Sequence, residues 1–174
     1  RICTALNIET TRLDTPMFLN TSSDNGSYRA GKRRWFMADF YKHQRRTRGL
    51  LMDGDQPVGG RWSFDEDNRR KVPKAMLDCI PRLDECIPDS FDHEAKAHVL
   101  AHYPDAFGSL DRLHYPSSHR GAEAWLERFI RERFEHFGAY EDAIVAGENS
   151  LWHSVVTPML NIGLLTPQQV LGAV

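Results

Sequence analysis

The strongest constraint on this chain lies between residues 120 and 137. There Ala122, Trp125, Leu126, Phe129, Ile130, Phe134 and Phe137 recur at mostly three- and four-residue intervals. That spacing returns to one side of a helix at every turn and makes a wide apolar stripe. Such a stripe needs a packed cover, because tertiary burial rather than propensity stabilises most helices. The spacing predicts a helix over 120–137, ended by Gly138, inside a mainly α-helical fold. With 41% apolar residues among 174, the chain can build one modest domain or parts of two.

Further helices are expected downstream. Thr157-Pro158 and Thr166-Pro167 sit nine residues apart. A Thr accepts from the free N–H groups of a helix start, and Pro fits the first helical position because its missing N–H is not needed there. Helices are therefore expected to begin near Thr157 and Thr166. The first is preceded by Ser154 and the apolar pair Val155-Val156. Hydroxyls beside a helix start suit a phosphate or pyrophosphate group, although most helix starts bind only water.

The front half reads differently. Residues 12–21 hold a short apolar run that fits the last strand of a sheet, with Pro16 at its edge. Residues 22–27 read as a turn-rich loop, and 28–48 as one helix stopped by Gly49. Eight Arg and Lys residues, from Arg29 to Arg48, face a single acid, Asp39, in that helix. Such a helix fits nucleic-acid phosphates, a solvated surface or the acids of another domain. Residues 50–90, rich in Gly and Pro, read as a long loop of the kind that serves function or joins domains. A helix over 89–102 follows, with Phe91, Ala95 and Val99 facing inward, and His98 a further inward candidate.

Several chemistries are excluded or disfavoured. The net charge of −2 excludes a uniformly basic nucleic-acid binder but not a local basic face. No apolar run approaches the roughly 20 residues of a membrane span. Three cysteines, Cys3, Cys79 and Cys86, have no metal-knuckle spacing. Their odd number, with no secretory signal visible, fits a reducing cytosol. Asp53-Gly54-Asp55 opens like a calcium loop, but the twelfth position is Phe64, so a turn is expected. His98 and His102 lie four apart with no third ligand placed by a motif, and no metal site is expected. Gly59-Gly60 reads as a flexible turn, and no phosphate loop or Ser-His-Asp arrangement is present. The chain opens on Arg1 rather than Met and stops soon after a helix start, so it is expected to be a segment of a longer protein.

Three phrases together are distinctive: Leu51 to Arg69 (LMDGDQPVGGRWSFDEDNR), Phe137 to Ile144 (FGAYEDAI) and Leu151 to Leu165 (LWHSVVTPMLNIGLL). They resemble the deoxyribodipyrimidine photolyase-related family, the bacterial iron–sulfur branch of the photolyase and cryptochrome proteins, which includes prokaryotic (6-4) photolyases. The resemblance runs from about residue 15 to the end. It implies an N-terminal α/β, Rossmann-like domain with an antenna chromophore, typically a lumazine. A long interdomain loop would follow, and then an all-helical domain with FAD and a 4Fe-4S cluster. Residues 1–50 would end the antenna domain, 51–90 would be the linker loop, and 91–174 the first helices of the FAD domain.

The resemblance also implies sites. The family's hydroxyl-rich word around the FAD phosphates corresponds to His153, Ser154, Val155, Val156 and Thr157, followed by Pro158. His153 stands where the wider family has Thr. Tyr140 matches a flavin-side aromatic, and Asn161 lies one helical turn beyond Thr157. Arg69, Arg70, Lys71 and Lys74 lie where this branch reaches toward UV-damaged DNA. The cluster cysteines and lesion-facing residues are expected beyond Val174, so no catalytic residue is assigned here. The implied activity is light-driven repair of pyrimidine photoproducts, of the (6-4) type, by an electron from reduced FAD in a cytoplasmic enzyme. The same words fit a cryptochrome-like blue-light photoreceptor. A cofactor-free helical nucleic-acid-binding module would explain the basic helix but leave 151–167 unexplained.

Overall fold

The structure, a computed structural model, describes residues 2–83 and 86–174. Arg1, at the head of the expected antenna segment, and Asp84 and Glu85, within the expected linker, lie outside the described residues. The fold is mainly helical, with one small hairpin as its only sheet among the described residues.

The front half departs most from expectation. A short helix α1 spans Ile2–Ala5. Residues 12–21 form turns and bends, not a strand, and no segment pairs with them. A strand needs a ladder partner for its N–H and C=O groups, and none is present here. The expected loop at 22–27 is instead helix α2, Ser22–Arg29. Thr21 accepts from the Asp24 N–H, and the Asp24 carboxylate accepts from the Thr21 N–H. That reciprocal capping box outweighs the turn-forming composition of Ser-Ser-Asp-Asn-Gly. The expected helix over 28–48 is broken. Gly31 sits at φ +73°, and helix α3 starts afresh at Met37–Arg48. Gly49 ends α3 in the left-handed conformation, as expected.

The stretch expected to be a linker, 51–90, holds local structure rather than a featureless loop. Strands β1 (Met52–Asp53) and β2 (Gln56–Pro57) pair antiparallel across Gly54-Asp55. Gly54, at φ +56°, supplies the left-handed residue that a two-residue hairpin needs at its first turn position. The buried Arg45 of α3 organises the surroundings. Its guanidinium donates to the carbonyls of Leu50 (3.1 Å), Leu51 and Trp62 (3.4 Å). Arg46 lies 4.6 Å over the Trp62 ring, and Arg61 lies 4.2 Å over Phe64. At Gly59, φ +81°, a Cβ would come within 2.7 Å of the Phe64 ring, so the Gly-Gly turn is also a close approach. Two 3₁₀ turns, Asp65–Asp67 and Lys74–Cys79, complete this stretch.

Helix α4 spans Ser90–His102, with Asp89 as N-cap and Asp92 completing a capping box. Of its expected inward face Val99 is half-buried, whereas Phe91 is 74% exposed and Ala95 and His98 are exposed as well. Asp92, Ala95, Lys96 and Val99 line a pocket against Leu110 and Leu113. The aromatic stripe forms α5, His119–Glu132, capped by Ser118. Ala122, Leu126 and Phe129 are buried there as expected. The helix breaks at Arg133, and α6 runs Phe134–Tyr140, so Gly138 lies inside a helix instead of ending one. Helices α7 (Thr157–Asn161) and α8 (Pro167–Ala173) supply the cover. Val156, Met159 and Leu165 pack on Ala122, Leu126 and Phe129 to make the main core. A second core joins the linker to the far end of the chain: Val72, Met76 and Ile80 meet Tyr140, Leu151 and Trp152.

Glu132 closes α5 and carries a pH prediction. The Arg128 Nε–H donates to its carboxylate at 2.7 Å and Arg131 at 2.9 Å, which holds its carboxyl below the ordinary carboxylate range. Because the folded state favours the charged form, this stabilisation is present at neutral pH and is lost as the pH falls through the lowered value. Thermal melts of the wild type and Glu132→Gln should differ by at most about 1 kcal/mol at pH 7 and converge in acid. A difference that persists once the carboxyl is protonated in the folded state would refute the assignment.

Candidate functional site

The loop between α6 and α7 holds the most unusual backbone in the chain. Leu151 sits at φ +44° and Val155 at φ +51°. A left-handed β-branched residue is costly, and such conformations gather at functional sites. Local bonds keep the loop there. The His153 N–H donates to the Ser150 carbonyl at 2.8 Å, which closes a tight turn around Leu151. Trp152, only 1% exposed, drops into the second core. The Ser154 carbonyl accepts from the Trp125 indole N–H at 3.3 Å. His153 bonds through Nε2 to the Glu141 carbonyl at 2.5 Å. A carbonyl can only accept, so Nε2 carries the proton.

This loop floors an open cleft of about 740 Å³. Residues 81–83 form one wall, His114 and Tyr115 another, and 147–150 a third. The Arg128 guanidinium donates to the Arg82 carbonyl at 3.2 Å, and Arg133 donates to the Pro81 carbonyl at 2.7 Å. Arg133 also donates to the Leu151 carbonyl, so one buried side chain ties a wall to the floor. Ser150, Ser154, Thr157, Arg82, His153 and Glu148 line the same space. The volume is that of a cofactor site, and this mixture suits a polar, anionic group more than a flat apolar one.

The expected cofactor residues divide in two. His153, Ser154, Val155 and Thr157 share the cleft. Val156 is buried in the main core and holds the loop from behind. Tyr140 is not on the cleft: its ring lies 5.0 Å from Trp152 and its hydroxyl is 3.4 Å from the Met76 sulfur. Asn161 is exposed at the end of α7, also off the cleft. Thr157 does not cap its helix as expected, because Val156 occupies the N-cap position and no side chain caps it. Thr157 is nonetheless one of the residues that line the cleft. Thr166 does cap α8, through a capping box with Gln169.

Arg69 is paired with Asp142 at 3.3 Å and Arg70 with Asp67 at 3.8 Å. Lys71 and Lys74 are exposed, with no ion-pair partner among the described residues. Cys3, Cys79 and Cys86 are free thiols, and burial, with Asp92 nearby, pushes the Cys86 thiol up. Among the described residues no three metal-binding side chains converge, and no helix is long and apolar enough to cross a membrane. Sequence reasoning missed Arg82, Ser150 and above all Arg133. A signal for Arg133 was present: it falls on the apolar face of the stripe, four residues after Phe129 and four before Phe137.

A strained loop carrying Ser154 and Thr157 thus borders a cofactor-sized cleft and is tied through Arg133 to the segment at Pro81. The sequence model of the family described as deoxyribodipyrimidine photo-lyase-related protein matches residues 1–115. The chain belongs to that family. A (6-4) photolyase of Agrobacterium fabrum is 36% identical over 148 residues, which are 85% of this chain and 29% of that protein. An uncharacterised protein of Acanthamoeba polyphaga mimivirus is 34% identical over 68 residues, 37% of this chain and 35% of that protein. The chain thus spans about a third of the length of these curated relatives.

Proposed function

We propose that this chain is the junction segment of a flavin-dependent, light-driven DNA photolyase of the (6-4) type. In this reading residues 1–50 end an α/β antenna domain, 51–90 form the interdomain linker, and 91–174 begin the helical FAD domain. The 36% identity to a (6-4) photolyase supports it, since the matched 148 residues are most of the chain. The observation that carries it is the cleft: two hydroxyl residues, Ser154 and Thr157, line a space of about 740 Å³ beside a loop held in a strained form.

The residues present fit the phosphate and ribityl part of FAD. Ser154 and Thr157 would donate hydroxyl bonds to phosphate oxygens and Arg82 would add positive charge, while His153, its Nε2–H held by the Glu141 carbonyl, would shape the site. Val155 and Val156 would fix the loop. Tyr140 would act behind the site by packing Trp152, and Asn161 would contribute only from outside the cleft. Bound FAD would supply the light-driven electron; the chain's task is to bind and orient it. A lumazine antenna and a 4Fe-4S cluster belong to this reading but would be held outside this segment. On the DNA side, Lys71 and Lys74 are the cations of the proposed set that are free to meet phosphates, with Arg69 and Arg70 held by acids.

The test uses the intact protein. Ser154→Ala with Thr157→Ala should lower flavin occupancy at least tenfold, read from the visible absorption of the purified protein, with the melting temperature within a few degrees of wild type. Unchanged occupancy would exclude this phosphate site. Flavin-loaded protein that leaves a (6-4) lesion unrepaired under blue light would move the reading to a cryptochrome-like photoreceptor.

A further inference from the structure

The break in the expected basic helix exposes a surface that the repair reading does not use. Between α2 and α3 lies Arg29-Ala-Gly-Lys-Arg-Arg-Trp-Phe36, with four cations and two aromatic rings in eight residues, all exposed. Among the described residues no carboxylate pairs with Arg29, Lys32, Arg33 or Arg34. By contrast Arg45 is buried on backbone carbonyls, and Arg48 is tied to Asn20 at 2.7 Å and Asp24 at 3.7 Å. Four of this region's unpaired cations therefore sit together in and beside the connecting loop, with Lys42 and Arg46 further along α3.

The aromatic residues form a groove of about 370 Å³ with Tyr28 and Phe40. Trp35 is 55% exposed and Phe36 57%. The Arg29 guanidinium lies 4.0 Å over the Trp35 ring, which holds one face of the indole and presents the ring as a platform. Tyr28 is only 7% exposed and lines the groove from below, its hydroxyl out of contact with solvent and without a hydrogen-bond partner among the described residues.

We propose that this groove binds an unpaired DNA strand, with a base stacked at Trp35 and phosphates on Lys32, Arg33 and Arg34. The pairing of exposed aromatic faces with unneutralised cations is the chemistry of sequence-tolerant single-strand binding. The inference rests on the DNA-repair reading for its choice of DNA, but its test needs neither flavin nor light, so the two fail separately.

Binding of a fluorescent undamaged dT12 oligonucleotide to the intact protein, followed by anisotropy across a salt series in the dark, decides it. Lys32→Ala/Arg33→Ala/Arg34→Ala should weaken binding at least tenfold and reduce the salt slope by about two, at about 0.7 per phosphate on a single strand. Trp35→Ala should weaken binding about tenfold with the slope unchanged, and Trp35→Phe should restore it. All four positions are exposed, so circular dichroism should show folded variants. Unchanged affinity and slope in the triple variant overturn the proposal, including the case in which the groove instead packs against protein. Weakened dT12 binding in a protein that repairs nothing would keep this site and discard the photolyase reading.

Discussion

Trp152→Ala is expected to lower stability by about 3–5 kcal/mol, the range for emptying a large buried aromatic site. In a protein of this size that is on the order of 10 °C in melting temperature. The residue is 1% exposed, with its ring 5.0 Å from Tyr140 and 5.4 Å from His136. Around it the linker residues Val72, Met76 and Ile80 close on Ala143 and Val145. The cluster has few members, so removal of its largest side chain leaves a cavity that the neighbours cannot fill. The loss should be local first. The linker should detach and gain proteolytic sensitivity near 70–80 before the α5–α7–α8 core melts. Trp152→Phe should recover part of the loss, because a smaller ring still stacks on Tyr140. A loss under about 1 kcal/mol would mean that the second core does not hold the linker.

What the sequence revealed, and what it hid, follows from the range of the forces involved. The stripe from Ala122 to Phe137 was legible because the helix period repeats within a few residues. The Thr166-Pro167 start was legible because capping is local, and it holds. Thr157-Pro158 carries the same signal, yet its hydroxyl caps nothing. The turn at Leu151 and the left-handed Val155 deliver the chain to that helix one residue out of register. The strand reading of 12–21 failed for another reason: apolar content shows that a segment can pair, not that a partner exists. The helix over 28–48 was overread because Gly31 and the capping box at Thr21 act on φ and single hydrogen bonds, which periodicity does not see. Of the candidate site, Ser154 and Thr157 were named from the helix start and the resemblance, and both line the cleft. Arg82 and Ser150 were not, because distant segments bring them to the cleft and no spacing encodes that. Tyr140 shows the converse: the resemblance pointed to a flavin-side ring, and the fold packs it on Trp152.

Arg133→Met should cost about 3 kcal/mol and, beyond that, loosen the cleft. The side chain is 4% exposed and donates to the carbonyls of Pro81 and Leu151. Methionine keeps the length and apolar stem but leaves both carbonyls without these donors, at roughly 1–3 kcal/mol for each buried polar group left unsatisfied. Arg133→Lys should rescue little, since a single ammonium does not reproduce the planar fork that bridges two carbonyls. The functional consequence follows from where those carbonyls lie. Pro81 belongs to a wall of the cleft, and Leu151 is the left-handed residue that sets the 150–155 turn. Without the bridge the turn has less to hold its unfavourable φ, and Ser154 and Thr157 lose their fixed spacing. Leu126→Ala is the matched control: it removes a buried side chain from the main core, away from the cleft, at about 2–5 kcal/mol. At equal melting temperature, the Arg133 variant should retain far less of the proposed flavin than the Leu126 variant. If both lose flavin only in proportion to stability, Arg133 serves the core alone and the cleft is held by other contacts.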